Sequence, residues 1–128
     1  MKAYTDLQQS KMLADILPLE SADMSWVEKG NAKSIWYDAE NRRITTKYEK
    51  KYYIPCWSLA ALLGVLPKKV EIEGQHYVPC LFPVQNKWLL KLWYNSNYTI
   101  TSPVAIFSDN PIDAYYEMIL KLNEQKLL

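Results

Sequence analysis

The chain has 128 residues, with 15 basic and 14 acidic side chains and a hydrophobic fraction of 49%. Disorder requires low hydrophobicity with high net charge, and this composition has neither. The length predicts a single globular domain, residues 1–128, able to bury a core without disulfide or metal staples. The N-terminus, Met1 to Ser10, lacks the apolar run of a secretory signal, and the longest apolar stretch, Leu59–Leu66, stops at Pro67, far short of a membrane span. Cys56 and Cys80 therefore read as free thiols of a cytoplasmic protein.

Taken in chain order, the pattern predicts a first helix over Asp6–Leu17. Thr5 and Gln8 have capping-box spacing, and Pro18 ends the helix. Met24–Glu28 and Ser34–Asp38 are strand candidates around a turn at Gly30-Asn31, and Ile44–Tyr48 is a third. Pro55–Pro67 reads as the central helix, rich in Leu and Ala and bracketed by prolines. It is apolar almost all round, so it is expected to be the most buried element. Strands follow at Val70–Glu73, His76–Val84, Lys87–Tyr94 and Tyr98–Phe107. Pro79 and Pro83 each remove a ladder donor, which predicts an edge or broken strand there. Asn110-Pro111 opens a C-terminal helix whose Ile112, Tyr115, Tyr116, Ile119 and Leu122 share one face.

This order is that of an α+β domain. It predicts a mainly antiparallel sheet packed against N-terminal, central and C-terminal helices. The expected core is Leu59, Leu62, Leu63, Trp88, Leu90, Leu92, Ile112, Tyr116 and Ile119. Tyr53–Trp57 echoes Tyr77–Leu81, but five residues are too few to make a repeat.

Motifs that carry chemistry are sparse. Three glycines, Gly30, Gly64 and Gly74, cannot build a glycine-rich phosphate loop. Cys56 precedes the central helix and His76 is the one histidine. Together they define a cysteine-dependent enzyme as an alternative, against the plainer reading of Cys56 as a small buried hydrophobe. A zinc site built on Cys56, Cys80, His76 and a carboxylate would lack the close Cys pair that closed sites use.

Charge is uneven along the chain. Lys29, Lys33, Arg42, Arg43, Lys47, Lys50, Lys51, Lys68 and Lys69 meet only Asp38, Glu40 and Glu49 in the same stretch. Arg42, Arg43, Lys47, Lys50 and Lys51 are interleaved with Tyr48, Tyr52 and Tyr53. Single-strand nucleic-acid binders mix cations and flat rings in this way. The segment is the candidate anion or nucleic-acid contact, although a sequence pI near 7.7 is below the range of such domains.

Two stretches carry a resemblance. They are Cys56-Trp57-Ser58-Leu59-Ala60-Ala61-Leu62-Leu63 with Leu66-Pro67, and Asp109-Asn110-Pro111-Ile112-Asp113-Ala114-Tyr115-Tyr116-Glu117-Met118-Ile119. Through them the chain resembles a family of small proteins from gut anaerobic bacteria, often prophage-associated, that carry no assigned activity. The resemblance implies structural helices and transfers no functional residue. The leading expectation is a non-enzymatic accessory or binding protein of bacterial or phage origin. It has a protein partner rather than a small molecule, no cofactor and no membrane. A nucleic-acid-binding module using residues 29–69 is the alternative.

Overall fold

A computed structural model of the chain describes residues 2–46, 49, 52–94 and 103–128. They form an α+β fold with three α-helices and two antiparallel sheets. Their contacts gather into two compact units, Ala3–Val65 and Leu66–Leu128 with Lys2. Among the described residues no helix is long and apolar enough to cross a membrane.

The N-terminal unit opens with helix α1 (Leu7–Ala14). Its cap is Asp6 with Gln9, one residue later than the predicted Thr5 and Gln8. Asp6 Oδ1 accepts from Gln9 N at 2.8 Å, and Gln9 Oε1 accepts from Asp6 N at 3.1 Å. Thr5 is taken up elsewhere: its N–H donates to Trp57 O at 2.9 Å, and its hydroxyl accepts from Trp57 N at 3.1 Å. Ile16 and Leu17 continue past α1 only as a turn onto Leu13 O.

Strands β1 (Met24–Asn31) and β2 (Ser34–Glu40) run further than the sequence predicts, and their turn is Ala32-Lys33 rather than Gly30-Asn31. Gly30 stays in the ladder opposite Ile35 at φ 98°, a backbone region that favours glycine. Asn31 Oδ1 then accepts from Lys33 N at 2.9 Å and shapes the turn. The strand predicted over Ile44–Tyr48 does not form over its described part, 44–46. There Glu49 N donates to Thr46 O and Thr45 Oγ1 donates to Glu49 Oε1, so local polar bonds replace a ladder. The third strand is β3 (Tyr53–Cys56), which completes a sheet of order β2-β1-β3. The sequence pattern assigns Pro55 and Cys56 to the central helix, whereas the ladder opposite Met24 and Ser25 holds them in β3. Helix α1 packs on β3.

That central helix, α2 (Leu59–Val65), is shorter than predicted and is not the most buried element. Only Leu62 within it is buried, and Leu63 is 53% exposed. Seven residues make two turns, and α2 leans chiefly on a short 3-10 turn at Leu19–Ser21. One apolar side is therefore left open to solvent. Its start is fixed by polar groups: Ser58 Oγ accepts from Ala61 N at 3.2 Å, while the Asp23 carboxylate accepts from Ser58 N and Ser58 Oγ.

The C-terminal unit is a four-stranded meander, β4 (Val70–Ile72), β5 (Gln75–Val84), β6 (Lys87–Trp93) and β7 (Ala105–Ser108), in that spatial order. The described part of the predicted Tyr98–Phe107 strand is thus confined to β7 and its approach, and the rest lies outside the described residues. Glu73 and Gly74, at φ 50° and 81°, make the two-residue hairpin between β4 and β5. Helix α3 (Pro111–Glu124) packs on β6 and β7. Asn110 caps it as predicted, its Oδ1 accepting from Asp113 N at 2.9 Å. Ile112, Tyr115, Ile119 and Leu122 are buried together with Ala114 and Met118; Tyr116 is half-buried. Leu90 and Leu92 are fully buried, whereas Trp88 and Leu59 reach only half-burial.

β5 is unbroken, and its prolines find positions that need no donor. Leu92 N donates to Val104 O, so the backbone groups of Leu92 point away from β5. Pro79 faces Leu92 and Pro83 faces Trp88, at positions of the same parity. The missing N–H groups therefore fall on the outer flank of β5. β4 covers that flank only at Gln75–Tyr77.

Two substitution pairs test this packing. Leu62→Ala should cost about 2–5 kcal/mol, the range for truncating a buried leucine. Leu63→Ala should cost less than about 1 kcal/mol in the same chemical denaturation, since its site is already open. A Cβ at Gly30 would lie 2.0 Å from Ser34 O, so Gly30→Ala should destabilise by more than about 1 kcal/mol. A Cβ at Gly64 meets nothing within 4 Å, and Gly64→Ala should stabilise by up to about 1 kcal/mol.

Candidate functional site

The residues with the most reactive sequence pattern are unsuited to catalysis where they stand. Cys56 lies in β3, not at a helix start, and is 0% exposed. Its thiol donates to Thr5 O at 3.5 Å. Burial pushes the thiol above its ordinary range, and the opposing hydrogen bonds from the Thr5 and Ser10 hydroxyls do not overcome it. A nucleophilic cysteine needs the opposite environment, exposed and electropositive. His76 stands exposed on β5, opposite Glu71 of β4. Both cysteines are free, and no cluster of three metal-ligating side chains occurs among the described residues.

The basic segment is partly neutralised. Arg42 pairs with Glu49 at 3.3 Å and stacks 4.5 Å from the Tyr53 ring centroid. Lys29 pairs with Glu40 at 3.1 Å. Arg43 is exposed and lines a cleft of about 370 Å3 with Ser21, Asp23, Ala60, Ala61, Gly64 and Val65. The other polar groups of that cleft are already committed. Ser21 Oγ donates to Pro18 O and accepts from Trp57 Nε1, and both Asp23 oxygens serve Ser58. Lys47, Lys50 and Lys51 lie outside the described residues. The structure thus separates Arg42 from Arg43 in role rather than aligning them as a phosphate track.

A different surface stands out, on the C-terminal sheet. Strand parity places Val78, Cys80, Phe82 and Val84 on the same side as Lys87, Leu89, Lys91 and Trp93 of β6 and Ala105 and Phe107 of β7. The buried Leu90, Leu92 and Ile106 occupy the opposite side. The first side is open: Phe107 is 60% exposed, and Val78, Phe82, Val84 and Trp93 are each 37–40% exposed. Phe82 and Trp93 form a ring pair with centroids 6.2 Å apart. Lys91 sits 4.4 Å from the Trp93 ring and 5.5 Å from the Phe82 ring. It pairs with no carboxylate among the described residues. Lys87, at the hairpin end, is paired with Asp109 at 3.3 Å.

Contiguous exposed apolar area on a sheet is a mark of an interaction surface rather than of a solvated face. Sequence reasoning did not select these residues. The signal was present in the strand Lys87–Trp93, where both parities are rich in apolar side chains, and again in Val78, Phe82 and Val84. A sheet covered on one face only would alternate apolar with polar.

The buried thiol generates a prediction. In native protein at neutral pH Cys56 should resist iodoacetamide while the half-buried Cys80 reacts first. The contrast should persist as pH rises to about 9, where an unfolded thiol is largely ionised. In denaturant both should alkylate alike; peptide mass mapping reads the order, and fast native labelling of Cys56 would reinstate the enzyme reading. No protein family, curated protein or solved structure matches the chain at a significant level.

Proposed function

We propose that the chain is a non-enzymatic binding protein, of bacterial or phage origin, that engages a protein partner through the open face of its C-terminal sheet. The observation that carries this reading is the apolar side of β5, β6 and β7, where Val78, Phe82, Val84, Trp93 and Phe107 are exposed together. Burying them on a partner gains roughly 25 cal/mol per Å2 of apolar surface, before the costs of association. The chemistry of the remaining candidates adds to the case. The Cys56 thiol is buried and hard to ionise, and the carboxylate and hydroxyl of the Arg43 cleft are occupied by the fold itself. The origin rests on the family resemblance of the segments around Cys56–Leu63 and Asp109–Ile119.

The test is capture from lysates of gut anaerobes on immobilised protein, with retained proteins identified by mass spectrometry. The comparison is a double variant, Trp93→Ser with Phe107→Ser, whose fold is verified by far-UV circular dichroism. The intact face should retain a specific protein that the double variant releases. Equal retention by both would move the working surface elsewhere.

A further inference from the structure

We propose that the occupant of this face is an acidic, amphipathic protein segment, one that sets apolar side chains on the β5–β7 rings and a carboxylate on Lys91. The inference rests on the binding reading above and adds the chemistry of the partner. The face is apolar in its body and cationic at its centre. Lys91, half-buried, lies between Cys80 of β5 and Ala105 of β7, two small neighbours. The Trp93 and Phe82 rings hold it by cation–π attraction, which orients the charge without neutralising it. Asp109, just after β7, is already on Lys87. On β4, Glu71 shares the side of His76, at the far end of β5. The centre therefore has unmet demand for a negative charge. A carboxylate placed there makes a charge-assisted bond and selects partners by charge.

Other occupants fit less well. A second copy docked by the same face would bring Lys91 towards its own equivalent in an apolar surround, where like charges repel strongly. Strand addition along β5 is closed by Pro79 and Pro83, which leave its outer flank short of donors. A single nucleic-acid strand needs a row of cations, and this face offers Lys91 and a Lys87 already engaged. Val78 and Val84 have no flat surface to stack on a base.

The dimensions indicate the length of the segment. β5 and β6 pair over seven positions, from Val78 with Trp93 to Val84 with Lys87. At roughly 3.3 Å per residue the face is about 20 Å long. A helix of about 13 residues spans that distance.

The test uses two synthetic helical peptides of about that length. Both carry the same Leu and Phe stripe; one is flanked by Glu, the other by Lys at the same positions. Binding is read by fluorescence polarisation at low and moderate salt. The acidic peptide should bind at least about tenfold more tightly than the basic one, and more weakly as salt rises. Lys91→Glu should reverse that order, and Phe107→Ser should weaken both peptides; unchanged denaturation midpoints exclude unfolding as the cause. Equal binding of the two peptides by the intact face would overturn the charge inference and leave the docking face standing. No binding of either would overturn the partner chemistry, and the lysate capture would still decide the docking face. Tight binding of labelled oligothymidine or oligouridine that Trp93→Ser abolishes would assign the face to single-stranded nucleic acid instead. Self-association that the neutral variant Lys91→Met strengthens, seen in sedimentation, would assign it to a second copy.

Discussion

The N-terminal unit depends on Thr5. Its N–H donates to Trp57 O at 2.9 Å and its hydroxyl accepts from Trp57 N at 3.1 Å, so both backbone groups of that one residue lock the start of the chain beside β3. The same hydroxyl lies 2.7 Å from Ser10 Oγ, and Trp26 Nε1 donates to Ser10 Oγ and Thr5 O. Thr5, Ser10, Cys56 and Trp57 are all 0% exposed. In such surroundings each polar group needs its partner, because an orphaned one costs about 1–3 kcal/mol. The network thus fixes where α1 begins, why Asp6 rather than Thr5 becomes its cap, and why Cys56 is held as a donor rather than freed as a nucleophile.

The C-terminal unit is organised by a different constraint, the placing of donors that proline removes. Because Pro79 and Pro83 share parity, β5 can pair with β6 along its length and still present a poor edge. Pairing through the backbone is discouraged, while the side-chain face remains available. A sheet that closes its edge and opens its face directs partners to side-chain recognition, in which shape and charge discriminate more finely than a strand ladder does.

Much of this was legible in the residues. Asn110-Pro111 located α3 and its cap, Gly74 located a hairpin, and the alternation in Lys87–Trp93 sorted the two sides of β6. The failures have physical causes. Pro55 is as much at home in the first turn of a helix as in a strand flanked by its partner's non-bonded positions, so β3 was absorbed into α2. The composition of α2 showed that it could be buried all round, but burial depends on neighbours, and these cover only Leu62. The Ile44 stretch had strand propensity that local Thr45–Glu49 bonding overrode. The candidate surface was written in strand parity, yet parity names two faces without saying which one α3 covers. Charge counting favoured residues 29–69 because it cannot see that Glu40 and Glu49 lie against Lys29 and Arg42.

The two-sided apolar character of β6 has a consequence for the unfolded chain. Trp88-Leu89-Leu90-Lys91-Leu92-Trp93-Tyr94 combines high strand propensity with one charge and no proline. Such windows stack into intermolecular sheets when they are exposed. In the native fold half of this window is covered, and the other half is the surface that binding would use. Lys91 is the one charge that interrupts it, the kind of residue that opposes stacking of such windows between unfolded chains. The ammonium group that gives the folded surface its polarity is thus the same charge that breaks the apolar run of the unfolded chain.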